Sequence, residues 1–122
     1  MVTKIPTHQY TIDAAGRTLG RVAAEAAKAL MGKSDADYTP HIRSDVKVTI
    51  TNAGKLRITE KKRQQKTYTR YSGYPGGFKK ETLGHLIARK SGRAEAIRRA
   101  VKGMMPRNTM LVARLKNLSI TE

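Results

Sequence analysis

The sequence has no cysteine and no tryptophan, and acidic residues are scarce. Without cysteine, a disulfide framework, a thiol nucleophile and a thiolate-bound metal are excluded. No apolar run approaches the roughly 20 residues of a membrane-spanning helix, and no basic-then-apolar signal segment opens the chain. The three histidines, His8, His41 and His85, are too widely separated for a zinc cluster. We therefore expect a protein of the cytosol, or of an organelle's matrix or stroma, that has neither a metal nor a membrane partner.

Positive charge dominates what is present. In 122 residues, 25 lysines and arginines face nine acidic residues, for a formal net charge of +16. Such a chain repels itself, and an anionic partner would relieve that repulsion. The length suits one compact domain, which we place at residues 10–122 behind an N-terminal arm of residues 1–9.

Hydrophobic patterning in the first half predicts two strands and a helix. Tyr10–Ile12 alternates like a short strand, and Val46–Thr51, "VKVTIT", is β-branched and alternating. Between them, apolar residues at helical spacing predict a helix over Leu19–Met31. We expect the hydroxyl of Thr18 to cap this helix and Gly32 to end it.

The second half is patterned more weakly. From turn residues, caps and apolar spacing we predict a brief strand at Leu56–Thr59, a polar basic loop at Lys61–Lys66, a strand at Thr67–Tyr71, a short helix from the Thr82 cap to Ile87, a helix at Arg93–Lys102 and a last strand at Leu115–Ile120. Alternating strands and helices indicate an α/β sandwich with a mainly parallel sheet, because parallel neighbours need crossover connections.

The segment "KTYTRYSGYPGGFKK", Lys66–Lys80, gathers four of the six aromatic residues with three glycines, one proline and no acid. Cations neutralise phosphates, aromatic rings stack on unpaired bases, and glycines let backbone approach a nucleic-acid backbone. The combination suits RNA better than duplex DNA. The alternative is a solvated basic hairpin whose tyrosines pack on the core, and Tyr68, inside the predicted strand, is the tyrosine most expected to do so.

Two further groups of basic residues are candidates for polyanion contacts. One group accompanies only a single acid, Glu95, and consists of Arg89, Lys90, Arg93, Arg98, Arg99, Lys102 and Arg107. Its members either reach a polyanion or simply hold solvent. Arg17 and Arg21 flank the start of the first helix, where cations oppose the helix dipole unless a phosphate is bound there.

Two motifs that suggest other chemistry fail on their context. "GKS", Gly32–Ser34, lacks the leading glycine of a phosphate-binding loop, because position 27 is alanine, and it follows a helix where that loop precedes one. Ser72, Asp45 and a histidine, either His41 or His85, can be assembled on paper into a hydrolytic triad, but no nucleophile-elbow motif surrounds the serine. We therefore predict no nucleotide site and no catalytic residue.

Four strings together carry a family resemblance. They are "DAAGRTLGRVA" (Asp13–Ala23), "YTPH" (Tyr38–His41), "SGYPGGFKK" (Ser72–Lys80) and "AVKGMMPRN" (Ala100–Asn108). In this order they resemble the bacterial-type family of large-subunit ribosomal protein L13, from about residue 10 to residue 116. The Ser-Gly-Tyr-Pro-Gly-Gly and Gly-Met-x-Pro-x-Asn motifs are highly specific.

The resemblance implies a three-layer α/β/α sandwich with a four-stranded, mainly parallel sheet. It further implies a structural constituent of the large ribosomal subunit that binds large-subunit ribosomal RNA, touches neighbouring ribosomal proteins and supports early subunit assembly. We accordingly expect this protein to have no catalytic role, no cofactor and no small-molecule substrate.

The resemblance places the RNA-facing glycine loop at Ser72–Lys80 and the second RNA-facing motif at Lys102–Asn108. With the basic groups above, and a basic RNA-binding loop at residues 60–80, the predicted RNA-binding residues are Arg17, Arg21, Lys61, Lys62, Arg63, Lys66, Arg70, Tyr71, Ser72, Gly73, Tyr74, Pro75, Gly76, Gly77, Phe78, Lys79, Lys80, Arg89, Lys90, Arg98, Lys102, Arg107 and Asn108.

The chain departs from the family pattern after Asn108. The family usually continues with Leu-Gly-Arg and a histidine-bearing tail, whereas this sequence reads "TMLVARLKNLSITE". We expect Met110, Leu111 and Val112 to close the core beneath the sheet. Two other functions are kept as alternatives: a small RNA-processing enzyme with His41 or His85 as its base, and a free-standing regulatory or nucleoid protein with strong affinity for duplex DNA.

Overall fold

A computed structural model describes residues 8–33 and 46–121. In chain order the elements are β1 (His8–Asp13), α1 (Leu19–Met31), β2 (Val46–Thr51), α2 (Glu60–Gln65), β3 (Thr67–Tyr71), β4 (Phe78–Thr82), α3 (Leu83–Ala88), α4 (Gly92–Met104), α5 (Leu111–Leu115) and β5 (Leu118–Ile120). A 3-10 turn at Ala53–Lys55 follows β2.

The main sheet is parallel, with strand order β1-β2-β5. Strand β1 pairs with β2 from His8↔Val46 to Asp13↔Thr51, and β2 pairs with β5 from Val48↔Leu118 onwards. A mixed α/β fold with a parallel sheet is therefore confirmed. Strand β1 begins at His8, inside the predicted arm. The described residues supply three strands to this sheet, so the four-stranded sheet and the three-layer sandwich stay predictions.

Helix α1 buries its apolar stripe as the sequence predicted. Leu19, Val22 and Leu30 are at most 3% exposed and pack in the main core with alternate residues of β2. Gly32 ends the helix at φ +83°, and its N–H donates to the Ala29 carbonyl at 3.0 Å. The left-handed conformation explains why glycine stands there.

The predicted cap of α1 is wrong in one respect. Thr18 occupies the N-cap position, but its hydroxyl makes no capping hydrogen bond. Its backbone instead forms an isolated parallel bridge with Arg57, whose N–H donates to the Arg17 carbonyl at 2.9 Å. This bridge is all that appears of the brief strand predicted at Leu56–Thr59.

Strands β3 and β4 form a separate antiparallel hairpin, paired from Thr67↔Thr82 to Tyr71↔Phe78. The hairpin base is anchored by a second, smaller core of Leu83, Leu86 and Ala96, all at most 1% exposed. Helix α3 follows β4 directly, and the predicted Thr82 cap is confirmed: its hydroxyl accepts from an α3 backbone N–H at 3.2 Å.

The segment predicted as a basic loop at Lys61–Lys66 is mostly helix α2, so the loop prediction is wrong. The Thr59 hydroxyl accepts from the Lys62 N–H at 3.3 Å, which satisfies one of the free donors of the first turn. Glu60 lies in the first turn and Lys62 and Arg63 in the last, the distribution that suits a helix dipole.

The C-terminal segment contains helix α5, which was not predicted, and the last strand is limited to Leu118–Ile120. Leu111 packs against the main core, as expected. Val112 does not, because its side chain is 64% exposed on the outer face of α5. Arg114 is the buried charged residue of this helix, and its Nε has no hydrogen-bond partner among residues 8–33 and 46–121.

Across the described ranges, no helix is both long enough and apolar enough to cross a membrane. Those ranges also contain no cluster of three or more His, Asp or Glu side chains placed to hold a metal ion.

Candidate RNA-binding surface

The tip of the β3–β4 hairpin is a tight, glycine-dependent turn. The Gly77 N–H donates to the Tyr74 carbonyl at 2.9 Å, which closes a four-residue β-turn. Pro75 and Gly76, at φ +75°, occupy its two central positions, as in a type II turn. A side chain at Gly77 would collide with the Ser72 hydroxyl, so both glycines are needed for this shape.

The tip displays three aromatic rings to solvent. Tyr71, Tyr74 and Phe78 are 65%, 74% and 59% exposed. Tyr71 and Phe78 are directly opposite each other in the antiparallel register, so their side chains leave the same face of the hairpin. Burial of large aromatic rings is ordinarily favourable by a few kcal/mol each, so their joint exposure marks a surface for a partner.

The base of the hairpin behaves differently. Tyr68 is half-buried and packs against the smaller core, as the sequence predicted for this tyrosine. Burial raises the pKa of its phenol, and the nearby Arg99 charge opposes that shift. The Arg99 guanidinium lies 4.9 Å from the Tyr68 ring centroid, and the Lys66 ammonium lies 5.6 Å from it. The base of the hairpin is therefore held by packing on the smaller core, whereas the residues of the tip are exposed to solvent.

A basic cleft of about 560 Å³ lies between the hairpin and helices α3 and α4. Its lining residues are Tyr68, Thr69, Arg70, Lys79, Lys80, Glu81, His85, Arg89 and Arg99. Glu81 is its single acid, and the Arg89 guanidinium donates a short hydrogen bond to that carboxylate. The surface of the cleft is therefore positively charged, because its one acidic side chain, Glu81, already forms an ion pair with Arg89.

A second cleft of about 450 Å³ continues this surface along α4 and is lined by Arg99, Lys102, Gly103, Arg107 and Leu111. Arg99 borders both clefts. We define the basic track as Arg70, Lys79, Lys80, Arg89, Arg99, Lys102 and Arg107. All of these except Arg99 are among the RNA-binding residues predicted from the sequence. The sequence did contain a sign that Arg99 belongs to this surface. It lies three residues before Lys102, so the two side chains are neighbours on one helix.

Helix α2 carries a further basic surface. Lys61, Lys62 and Lys66 line a shallow cleft of about 440 Å³. Arg63 is different, because it is half-buried and its side chain packs against α3: a methyl group at Gly84 would lie 2.9 Å from its Cγ. The structure gives Arg63 a packing role that the sequence did not indicate.

Replacing Lys61 and Lys62 with glutamine is expected to flatten the salt dependence of RNA binding. Each lost phosphate contact lowers the slope of log K against log salt by about 0.7–0.9, so the pair predicts a decrease of about 1.4–1.8. Arg63 is left unchanged, since its substitution would disturb the α2–α3 contact.

The matched control for that pair is Lys28→Gln with Lys47→Gln, two exposed lysines outside the predicted RNA-binding set. Filter binding at several salt concentrations measures the slopes. If the α2 variant keeps the wild-type slope, these lysines lie outside the interface.

The remaining predicted cations are more scattered. Lys90 lies in the turn between α3 and α4, and Arg98 is exposed on α4 beside Arg99. Arg17 and Arg21 lie at the start of α1 and line none of the three clefts above. Arg17 is paired with Glu25 at 2.7 Å, which lowers the electrostatic cost of its position.

Asn108 has a local role. Its Oδ1 accepts from the Met110 N–H at 3.0 Å, and its backbone carbonyl accepts from the Leu111 N–H at 3.2 Å. These bonds form the turn that leads into α5. The side-chain amide nitrogen is the group by which Asn108 could contact RNA.

Of the hydrolytic triad considered from the sequence, the described residues include Ser72 and His85, and these two are not brought together. Ser72 follows β3 at the hairpin tip, whereas the His85 Nε2 lies 3.9 Å from a Glu81 carboxylate oxygen at the base. Glu81 pairs with Tyr68, four residues before Ser72, a separation of about 13 Å along a strand.

Several features named from the sequence lie outside the described residues. They are Ser34 of the "GKS" string, the "YTPH" motif at Tyr38–His41, and Asp45 of the triad.

Comparison with known proteins supplies the decisive observation. The family model described as ribosomal protein L13 matches residues 7–122. The chain belongs to the ribosomal protein L13 family. The resemblance found in the four strings is confirmed, and so is the prediction that this protein is not an enzyme, because L13 is a structural family.

Among curated relatives of this L13 chain, the large ribosomal subunit protein uL13 of Nitrosococcus oceani is 49% identical over 111 residues, which cover 91% of this chain and 77% of the relative. The protein of the same name from Cupriavidus metallidurans is 45% identical over the same length and coverage. That from Synechococcus sp. is 44% identical over 109 residues, or 89% of this chain and 71% of the relative. The similarity to L13 proteins thus spans nearly the whole chain.

Proposed function

We propose that this L13 family member is a structural constituent of the large ribosomal subunit that binds large-subunit ribosomal RNA and supports early subunit assembly. The relatives above are large-subunit proteins by name. The observation that supports RNA binding is the hairpin itself: a tip with three exposed aromatic rings joined to a cleft bordered by five basic residues.

The proposed mechanism combines counterion release with shape fit. Side chains of the basic track neutralise phosphates of converging RNA segments and release the ions condensed on them. The tip aromatics stack on unpaired bases. The rigid Pro75–Gly76 turn keeps the tip narrow and preformed, so little conformational entropy is lost on docking.

The full set of RNA-binding residues predicted from the sequence belongs to this proposal. Within it, Arg63 also packs against α3, and Asn108 also forms hydrogen bonds in the turn before α5.

We extend the proposal to contacts with neighbouring large-subunit proteins and to location in ribosomes of the cytoplasm. We also keep the three-layer sandwich with a four-stranded sheet as the complete architecture, which an experimental structure of the whole chain would test.

The two alternatives make different predictions. An RNA-processing enzyme with His41 or His85 as its base would cleave RNA, and membership of a structural, non-enzymatic family argues against it. A free-standing regulatory binder would prefer duplex DNA and sediment apart from ribosomes. Tip aromatics favour unpaired bases over a stacked duplex, which supports the ribosomal function.

Gly76→Val tests the proposed function. Gly76 has φ +75°, a conformation that a β-branched residue adopts only at a cost of about 1–2 kcal/mol, and the valine would widen the tip. Beyond the two adjoining residues, a Cβ there meets no atom of residues 8–33 or 46–121 within 4 Å, so the isolated domain is expected to fold. We expect the variant to be several-fold depleted from large subunits separated by sedimentation.

Gly16→Val is the matched control. Gly16 has φ +71° and lies in the turn between β1 and α1. As at Gly76, a Cβ added there would have no contact within 4 Å among the described residues beyond its two chain neighbours. The two variants should lose similar amounts of thermal stability, while Gly16→Val enters subunits nearly normally. Normal incorporation of Gly76→Val would contradict a role for the tip in RNA docking, and equal loss of folding and incorporation would make the tip merely architectural.

A further inference from the structure

Arg99 is held in a fixed orientation at the junction of the two clefts. Its Nε donates to the Glu95 carboxylate at 3.0 Å, and its guanidinium lies over the Tyr68 ring at 4.9 Å. The side chain nevertheless stays 39% exposed and lines the 560 Å³ cleft. A guanidinium that contacts an aromatic ring and also lines an open cleft can serve as a stacking platform, because guanidinium groups stack on aromatic rings and bases.

The face of the hairpin toward this platform carries cations at suitable positions. Arg70 and Lys79 are paired across the hairpin, and each lies two residues from Tyr68 or Glu81, so all four share one face. Arg89 closes the other side, with its guanidinium held by Glu81. Cations therefore surround the stacking platform on both sides.

The shape of the cleft argues for more than backbone contact. Its volume of about 560 Å³ lies within the range of about 300–1,000 Å³ typical of pockets that enclose a small ligand. Phosphates of a regular duplex need only an exposed row of cations. A half-open cleft of this volume beside a guanidinium has room for one base removed from its stack and lets the flanking nucleotides leave it.

We propose that this cleft holds one unpaired nucleotide of the bound RNA. Its base stacks on the cleft side of the Arg99 guanidinium, in a sandwich with Tyr68 behind, and its flanking phosphates lie at Arg70, Lys79 and Arg89. The hairpin then contacts RNA twice, with its tip and with its inner face. This inference rests on the proposed function, because it needs RNA to be the partner.

Arg99→Lys separates stacking from charge. Lysine keeps the cation but loses the plane, so we expect binding of transcribed large-subunit ribosomal RNA to weaken about tenfold, the effect of losing one base–side chain stack. The salt slope should stay unchanged, because no phosphate contact is lost. Arg57→Lys, at an exposed arginine outside the predicted RNA-binding set, is the matched control and should bind within about twofold of wild type. Thermal melting confirms that each variant folds.

Base-specific chemical probing gives a second readout. In the wild-type complex at least one unpaired base should be protected, and Arg99→Lys should restore its reactivity while protection elsewhere persists. If Arg99→Lys binds like wild type and leaves the protection pattern unchanged, the cleft holds no stacked base and the inference is wrong. Wild-type protein that does not bind this RNA at all would contradict the proposed function itself.

Discussion

Replacement of Tyr71, Tyr74 and Phe78 together by serine is expected to weaken binding to transcribed large-subunit ribosomal RNA by at least about 100-fold. Each stack of a base on an aromatic side chain contributes about 1–3 kcal/mol, and three stacks give this loss even if they are only partly independent. The rings are 59–74% exposed, so their removal should leave the free energy of unfolding within about 1 kcal/mol of wild type. Binding and chemical denaturation measure the two effects.

The control for this variant is Val112→Ser. Val112 is also a large exposed hydrophobic side chain, at 64%, but it lies on α5, outside the hairpin and outside both predicted RNA-facing motifs. A loss of affinity in the control equal to that of the tip variant would mean that general surface hydrophobicity, and not the hairpin, governs binding.

Leu86→Ala is expected to have the largest effect on stability, a loss of about 2–5 kcal/mol. Leu86 is 1% exposed in the smaller core, where α3 meets α4 and Tyr68 packs from the hairpin base. Removal of its side chain leaves a cavity in a small cluster, whose other fully buried members among the described residues are Leu83 and Ala96. In a domain of this size such a loss lowers the melting temperature by about 10 °C or more.

Ala88→Gly provides the comparison, because it alters the same helix at an exposed position and should cost only about 1 kcal/mol through backbone entropy. Thermal denaturation followed by circular dichroism measures both variants. If Leu86→Ala is no more destabilising than Ala88→Gly, the smaller core does not hold the hairpin base as described.

The elements that the sequence predicted well are those whose own residues determine their structure. Helix α1 has a continuous apolar stripe and a glycine stop, and β2 has alternating β-branched residues, so local preference and burial agree. Thr82 was recognised as a cap because the short helix after it is apolar. Each of these signals lies within a few residues of the element that it specifies.

The elements that were missed depend on partners distant in sequence or on polar residues. Strand β4, "FKKET", is almost entirely exposed and is a strand because it pairs with β3. Helix α2, "EKKRQQ", has no buried residue, so no apolar periodicity marks it, although its Thr59 cap could have been read. The packing of Arg63 against α3 was also missed, because sequence charge does not show which arginine stems are buried.

The candidate RNA-binding surface was predicted mainly from the family motifs and less from charge and residue composition. The family strings located the hairpin tip, and its residues are exposed as an interface requires. The cleft behind the tip could not be predicted, because it depends on how the hairpin packs over α3 and α4. Arg99 illustrates the difference: the sequence shows one cation among several, and the structure shows the one that borders both clefts.

An experimental structure of the purified large ribosomal subunit containing this protein is the most direct measurement. The account predicts that Tyr71, Tyr74 and Phe78 lie in contact with ribosomal RNA, with heavy atoms within about 4 Å, and that the basic track follows its phosphates. A hairpin tip that points into bulk solvent in that particle would contradict the account.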